Sequence, residues 1–165
     1  KFFIASSHQS MFETFFLQSI FNSPVFILKK ELLIIPIFGW YLKKIGSISI
    51  KRNKITKDNL GFFDEISKLI NNSERPLIIF PQGTRVLPIE RPPFKKGVST
   101  IYERLKIACQ PIAINSGHTW PKKGAKKNNL TITISILKPI KAGLDKKKFL
   151  KELENNIYSE LDILD

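Results

Sequence analysis

In SSHQSMFETFF, residues 6–16, His8 is one of two histidines in the chain, and Glu13 follows five positions later. An imidazole beside a carboxylate is a pair that general-base chemistry uses. The carboxylate orients one ring nitrogen and supports the imidazolium, and the other nitrogen takes a proton from a hydroxyl. Spacing limits how the two can meet. On an unbroken helix five residues turn through about 140°, so the two side chains share a site only if His8 sits in a turn ahead of a helix that contains Glu13. The same spacing also suits a structural histidine bonded to its neighbour.

FPQGTR, residues 80–85, is the second chemical stretch. An apolar strand runs into Pro81, Gln82, Gly83, Thr84 and Arg85. Glycine lets backbone amides approach an anion, and arginine grips phosphate bidentately. GSISIKR, residues 46–52, begins at Gly46 and brings Arg52 to a strand end, and FKKGV carries Lys95 and Lys96 ahead of a helix. For each of these cations a solvated surface position is the plain alternative. His118, in GHTWPKK, has no acid near it in sequence and reads as a loop residue; Cys109, in KIACQPIAI, reads as a small buried filler.

These residues need a scaffold, and the hydrophobic pattern supplies one. Strands are expected at KFFIASS, VFILK, GSISIKR, RPLIIFPQG, PIAINSG and LTITISILKPI, the last having the cleanest alternation. Helices are expected at 10–22 with Ser10 as a cap, at 31–44 despite Pro36, and in TKDNLGFFDEISKLINN with Thr56 as a cap. In that third helix Leu60, Phe63, Ile66 or Ser67, and Ile70 fall on one face. GVSTIYERLK and KKKFLKELENNIYSELDIL complete the set. Strands alternating with helices predict an α/β domain with a mostly parallel central sheet flanked by helices. Chemistry in such sheets gathers past the carboxyl ends of the strands. His8, Arg52, Arg85 and Asn115 each follow a strand and converge there if those ends share one edge.

The chain has 165 residues, 42% hydrophobic and 25% charged, which is globular composition for one domain over 1–165. It opens on Lys1 and enters a strand at once, so a native N-terminal segment is expected to precede it. The net charge of +13 suits polyanions: nucleic acid, an anionic membrane surface or phosphorylated substrates. One cysteine leaves no internal disulfide framework and points to a reducing compartment. No uninterrupted apolar run reaches the roughly 18–20 residues of a spanning helix. ELLIIPIFGWYLKK, with Trp40 and Tyr41 beside Lys43 and Lys44, reads either as an interfacial segment or as a core helix.

Taken together, HQSMFE, GSISIKR, FPQGTR and QPIAINSG resemble, in that order, the four blocks of the glycerolipid acyltransferase family, especially the 1-acyl-sn-glycerol-3-phosphate acyltransferases. The resemblance covers roughly residues 2–140 and implies a glycerol-3-phosphate acyltransferase-like α/β fold. It implies that His8, oriented by Glu13, activates the free hydroxyl of a lysophospholipid. The acyl group then passes directly from an acyl thioester, acyl-CoA or acyl-acyl carrier protein, giving phosphatidic acid. Arg52 and Arg85 would hold the acceptor's phosphate, with Gly46, Gln82, Gly83 and Thr84 shaping the substrate site. No metal or bound cofactor is implied. The expected partners are the lysophospholipid, the thioester donor with its carrier, and an anionic membrane surface at the cytoplasmic face of the cell membrane. Sister acceptors, such as glycerol 3-phosphate or another lysolipid, stay open. So does a non-catalytic basic module, although the lysines are scattered and no nucleic-acid motif is present. Two positions depart from the family pattern: Glu13 stands where the family usually has Asp, and Gln82 where it usually has Glu.

Overall fold

The computed structural model describes residues 1–50 and 57–165, and within 57–60 the backbone alone. Arg52 and Thr56, expected at a strand end and a helix cap, lie outside the described residues, as does the side chain of Leu60.

The described elements run β1 (Phe2–Ser6), α1 (Phe12–Ile20), β2 (Val25–Lys29), a 3-10 turn (Lys30–Ile34), α2 (Phe38–Lys44), β3 (Ile48–Ile50), α3 (Lys57–Asn72) and β4 (Leu77–Ile79). They continue with α4 (Gly97–Leu105), β5 (Ala108–Ile114), a 3-10 turn (Ser116–His118), β6 (Ile134–Ile136) and α5 (Lys146–Leu164). The sheet order is β3-β2-β4-β1-β5-β6. Every pairing is parallel except β5 with β6. The expected α/β class and its mostly parallel sheet are present.

The strands are continuous apolar runs because helices cover both faces of the sheet. Phe3, Ala5, Leu77, Ile79 and Cys109 face a layer built from α3, α4 and α5. Ile4, Ile78, Ile112 and Ile114 face the other way, with Phe26 and Leu17 of α1. Helix α5 presents Phe149, Leu153, Ile157 and Leu161, all fully buried, at four-residue spacing. It starts at Asp145, whose side chain accepts from the amides of Lys147 and Lys148. Phe149 stacks on Tyr102 of α4 at 3.7 Å between centroids. Burial pushes the Cys109 thiol up and keeps it protonated, in keeping with a filler beneath the sheet.

Four expectations need correction. The helix expected at 31–44 is broken in two: Pro36 cannot continue a helical ladder and biases the residue before it toward extended backbone, as Ile35 adopts. LTITISILKPI forms only the three-residue edge strand β6, followed by one isolated bridge from Ile140 to Cys109; its alternation is that of a half-exposed edge, and Pro139 interrupts the ladder. In α3 the buried stripe is Phe62, Ile66 and Ile70, with Phe63 half-buried at its margin. The strand expected at PIAINSG begins earlier, at Ala108, because Pro111 still accepts through its carbonyl.

Candidate active site

Because β1, β2, β4 and β5 are parallel, their carboxyl ends share one edge of the sheet. β1 lies between β4 and β5, so the turn after β1 is flanked by the loops after those two strands. Ser7 continues the ladder: its amide donates to Ile112 O at 3.0 Å, and its hydroxyl bridges the carbonyl and amide of Ile114. His8 comes next and is clamped from the β4 side. Its amide donates to Gln82 Oε1 at 2.6 Å, and its carbonyl accepts from the Val86 amide at 2.9 Å. The imidazole stacks on Phe80, with centroids 4.0 Å and planes 15° apart. Both backbone polar groups and one ring face are thereby held, leaving the ring edges for chemistry.

Helix α1 begins just beyond, and its first turn carries Glu13. Ser10 Oγ accepts from the Phe12 amide at 3.0 Å, and Glu13 reaches back to the Ser10 amide at 3.0–3.1 Å. These bonds resemble the reciprocal Ser-x-x-Glu capping arrangement, but the helix starts at Phe12 with Met11 at the cap position, so the cap expected at Ser10 falls one residue later. Glu13 Oε1 also accepts from the Gln9 amide at 3.0 Å and from the Ser116 hydroxyl. The carboxylate is fully buried, a position tolerable because amide and hydroxyl donors surround it at a helix N-terminus. Its Oε2 lies 3.5 Å from His8 Nδ1, which is buried and has no other polar contact among the described residues. That separation exceeds an ordinary hydrogen bond; contacts of this kind shorten when substrate completes a catalytic site. No described residue bonds Nε2, and His8 lines an apolar cleft.

The cleft encloses about 300 Å³. Phe26, Leu42, Phe62, Ile79 and Val98 contribute apolar wall, and Lys29, Thr84, Arg85 and Lys95 line the same space. The Arg85 guanidinium, half-buried, has no hydrogen bond or ion pair among the described residues. Its loop is shaped by Pro81 and Gly83: the Gly83 amide donates to Phe80 O at 2.9 Å, and Gly83 holds φ +77°, a region that glycine enters without strain. The Lys95 amide donates to Pro81 O at 2.8 Å, which folds the following segment back over the turn. The arrangement suits base-assisted attack by a hydroxyl, with an anion held nearby and an apolar chain beside it.

Of the residues singled out from sequence, His8, Glu13, Gly83, Thr84 and Arg85 come together. Gln82 is corrected: 2% exposed, it sits behind the imidazole as the acceptor for the His8 amide rather than in contact with the cleft. Gly46 is corrected as well. It precedes β3 at the amino edge of the sheet, holding φ +73° with the Arg75 side chain packed against it. Asn115 does not converge; its amide group is occupied by Leu164 O and the Thr133 amide. His118 does have an acid, Asp165 at 2.9 Å, supplied by the end of α5. Sequence reasoning missed Phe80, and it missed Ser116, whose one visible signal was its place just after an apolar strand.

Gln82→Ala is expected to cost about 1–3 kcal/mol, because the buried His8 amide loses its acceptor. Gln82→Glu, which keeps an oxygen there, is expected to cost less. Urea unfolding of the two variants checks the order, and equal losses would show that the bond to His8 does not matter.

The family model described as Acyltransferase matches residues 1–115. The chain belongs to the acyltransferase family. It is 36% identical over 136 residues to a 1-acyl-sn-glycerol-3-phosphate acyltransferase of Pseudomonas aeruginosa, covering 81% of this chain and 51% of that protein. To the Helicobacter pylori protein of the same name it is 29% identical over 160 residues, covering 95% of this chain and 67% of that one. The chain thus spans about half the length of the first of these relatives. Its fold matches the crystal structure of the 1-acyl-sn-glycerophosphate (LPA) acyltransferase PlsC from Thermotoga maritima, with a TM-score of 0.80 at 22% identity over 99% of this chain and 66% of that one. No described helix is long and apolar enough to cross a membrane.

Proposed function

We propose that the chain transfers a fatty acyl group from a thioester to the free hydroxyl of 1-acyl-sn-glycerol 3-phosphate, giving phosphatidic acid. The observation that carries this reading is His8, backed by buried Glu13, lining an apolar cleft shared with an arginine that no described residue pairs. The relatives' names favour the same acceptor.

His8 Nε2 takes the hydroxyl proton as the acceptor oxygen attacks the thioester carbonyl, and Glu13 supports the imidazolium that forms. The tetrahedral centre collapses with cleavage of the carbon–sulfur bond. The proton on His8 then passes to the leaving thiolate. One O–H and one C–S bond break, and one C–O and one S–H bond form. Arg85 holds the acceptor phosphate, with Gly83 and Thr84 presenting the loop and Lys29 and Lys95 adding positive charge. Arg52 would join them by family resemblance. The apolar walls take up hydrocarbon. The donor is acyl-CoA or acyl-acyl carrier protein, and the reaction takes place at the cytoplasmic face of the cell membrane.

The test is acyl transfer measured with lysophosphatidate, glycerol 3-phosphate and a phosphate-free lysolipid as acceptors, each with both thioester carriers. Lysophosphatidate should be used with the highest kcat/KM. Arg85→Ala should raise KM for it about 10–100-fold with kcat less affected, the loss of a charge-assisted phosphate contact. Equal use of the phosphate-free acceptor by the unaltered chain, or an Arg85→Ala variant without effect, would overturn the phosphate assignment.

A further inference from the structure

Between β2 and β3 the chain turns through an elbow made of the 3-10 turn Lys30–Ile34, Pro36 and helix α2. The elbow is closed tightly. The Gly39 amide donates to Ile35 O at 2.7 Å, and a Cβ on Gly39 would stand 2.2 Å from Leu33 O. One side of it is cleft wall, through Leu32, Phe38 and Leu42. The opposite side is apolar and open: Ile34 is 80% exposed, Ile37 84% and Trp40 64%, with Ile35 also exposed.

Ile37 has φ +63°. A β-branched side chain is strained in that region, where glycine is not. A turn required only for chain reversal would favour glycine, so an isoleucine there, 84% exposed, calls for a use of the side chain itself. The surroundings indicate which. Lys44 Nζ lies 4.9 Å above the Trp40 ring, and Lys29, Lys30 and Lys43 are exposed around the elbow with one carboxylate, Glu31, among them. Greasy tips, an amphipathic indole and a rim of lysines are the chemistry that seats a segment at a lipid headgroup boundary. The net charge of +13 agrees with an anionic surface.

We propose that this elbow docks onto an anionic lipid bilayer, with Ile34, Ile35, Ile37 and Trp40 entering the interface and the lysines contacting headgroup phosphates. The cleft wall formed by Phe38 and Leu42 then stands at the membrane, giving hydrocarbon a short path to His8. That path rests on the proposed acyl transfer, whereas the docking itself does not.

The experiment uses the 165-residue chain and sedimentation with vesicles of phosphatidylcholine, alone or mixed with phosphatidylglycerol. In a Trp120→Phe background Trp40 is the remaining tryptophan, and its emission should shift to the blue on binding the mixed vesicles. Ile34→Ser with Ile37→Gly should weaken partitioning at least about tenfold by removing two inserted side chains. The glycine also relieves the strain, so the unfolding midpoint should hold or rise. Lys43→Glu with Lys44→Glu should weaken binding to the mixed vesicles and flatten its salt dependence. Acyl transfer to a short-chain, water-soluble lysophosphatidate should be unchanged in both double variants, so failure of docking and failure of the proposed activity are read separately. Vesicle binding unaffected by Ile34→Ser with Ile37→Gly, or a Trp40 emission that stays constant, would overturn the proposal. A blue shift that grows with protein concentration in the absence of lipid would overturn it in favour of a second copy covering the elbow.

Discussion

His8→Ala is expected to lower kcat for acyl transfer on the order of 10²–10⁴-fold, the range that a positioned general base contributes. Folding should be little affected. Alanine keeps both backbone groups that the β4 side clamps, the amide to Gln82 and the carbonyl to Val86. What is lost is the ring's stack on Phe80, worth about 0.5–1.5 kcal/mol. The measurement is steady-state transfer to lysophosphatidate alongside urea unfolding of the same preparation. A variant that stays folded and retains more than a tenth of kcat would remove His8 from the proton-transfer role.

Glu13 should show a different signature, because it carries both the chemistry and the local fold. Glu13→Ala leaves the Gln9 amide, the Ser10 amide and the Ser116 hydroxyl without their shared acceptor. Each such loss costs about 1–3 kcal/mol, so a total of about 3–9 kcal/mol is expected, enough to threaten folding. Glu13→Gln separates the roles. Its oxygen can still accept from those donors, but its amide would face His8 Nδ1 and the Ser10 amide, no longer supporting an imidazolium. The expected result is a loss of about 1–3 kcal/mol in unfolding free energy together with a kcat on the order of 10²–10³-fold lower. Glu13→Asp, the residue more usual in the family, keeps the charge but draws it back by one methylene, away from Ser116. It should fall between the unaltered chain and Glu13→Gln in kcat. If Glu13→Gln turned over like the unaltered chain, the carboxylate would be a capping residue only.

The local signals in the chain were strong where they were periodic. The alternation of strands and helices predicted the layered sheet, and the stripe of Phe149, Leu153, Ile157 and Leu161 is legible because a helix facing one layer must repeat every three to four residues. The segments that misled were those in which environment overrode pattern. LTITISILKPI alternates well and yet contributes three residues to an edge, since periodicity does not reveal whether a partner strand lies alongside. The elbow reads equally as core or as surface from composition alone. Exposure distinguishes the two sides, with Phe38 and Leu42 turned to the cleft and Ile34 and Ile37 to solvent.

The same division applies to the site. By itself the sequence determined that His8 would lie in a turn after a strand with Glu13 in the helix beyond it, and that Pro81, Gly83 and Arg85 would form a loop after another strand. Those are short-range consequences of turn chemistry and helical rotation. Only the tertiary structure decided that β1 lies between β4 and β5. That order brings Gln82 to His8 across 74 residues and Ser116 to Glu13 across 103, and it sends Gly46 to the far edge beside Arg75. Strand order is set by which crossovers bury both faces of the sheet, a condition on the whole chain that no local stretch encodes.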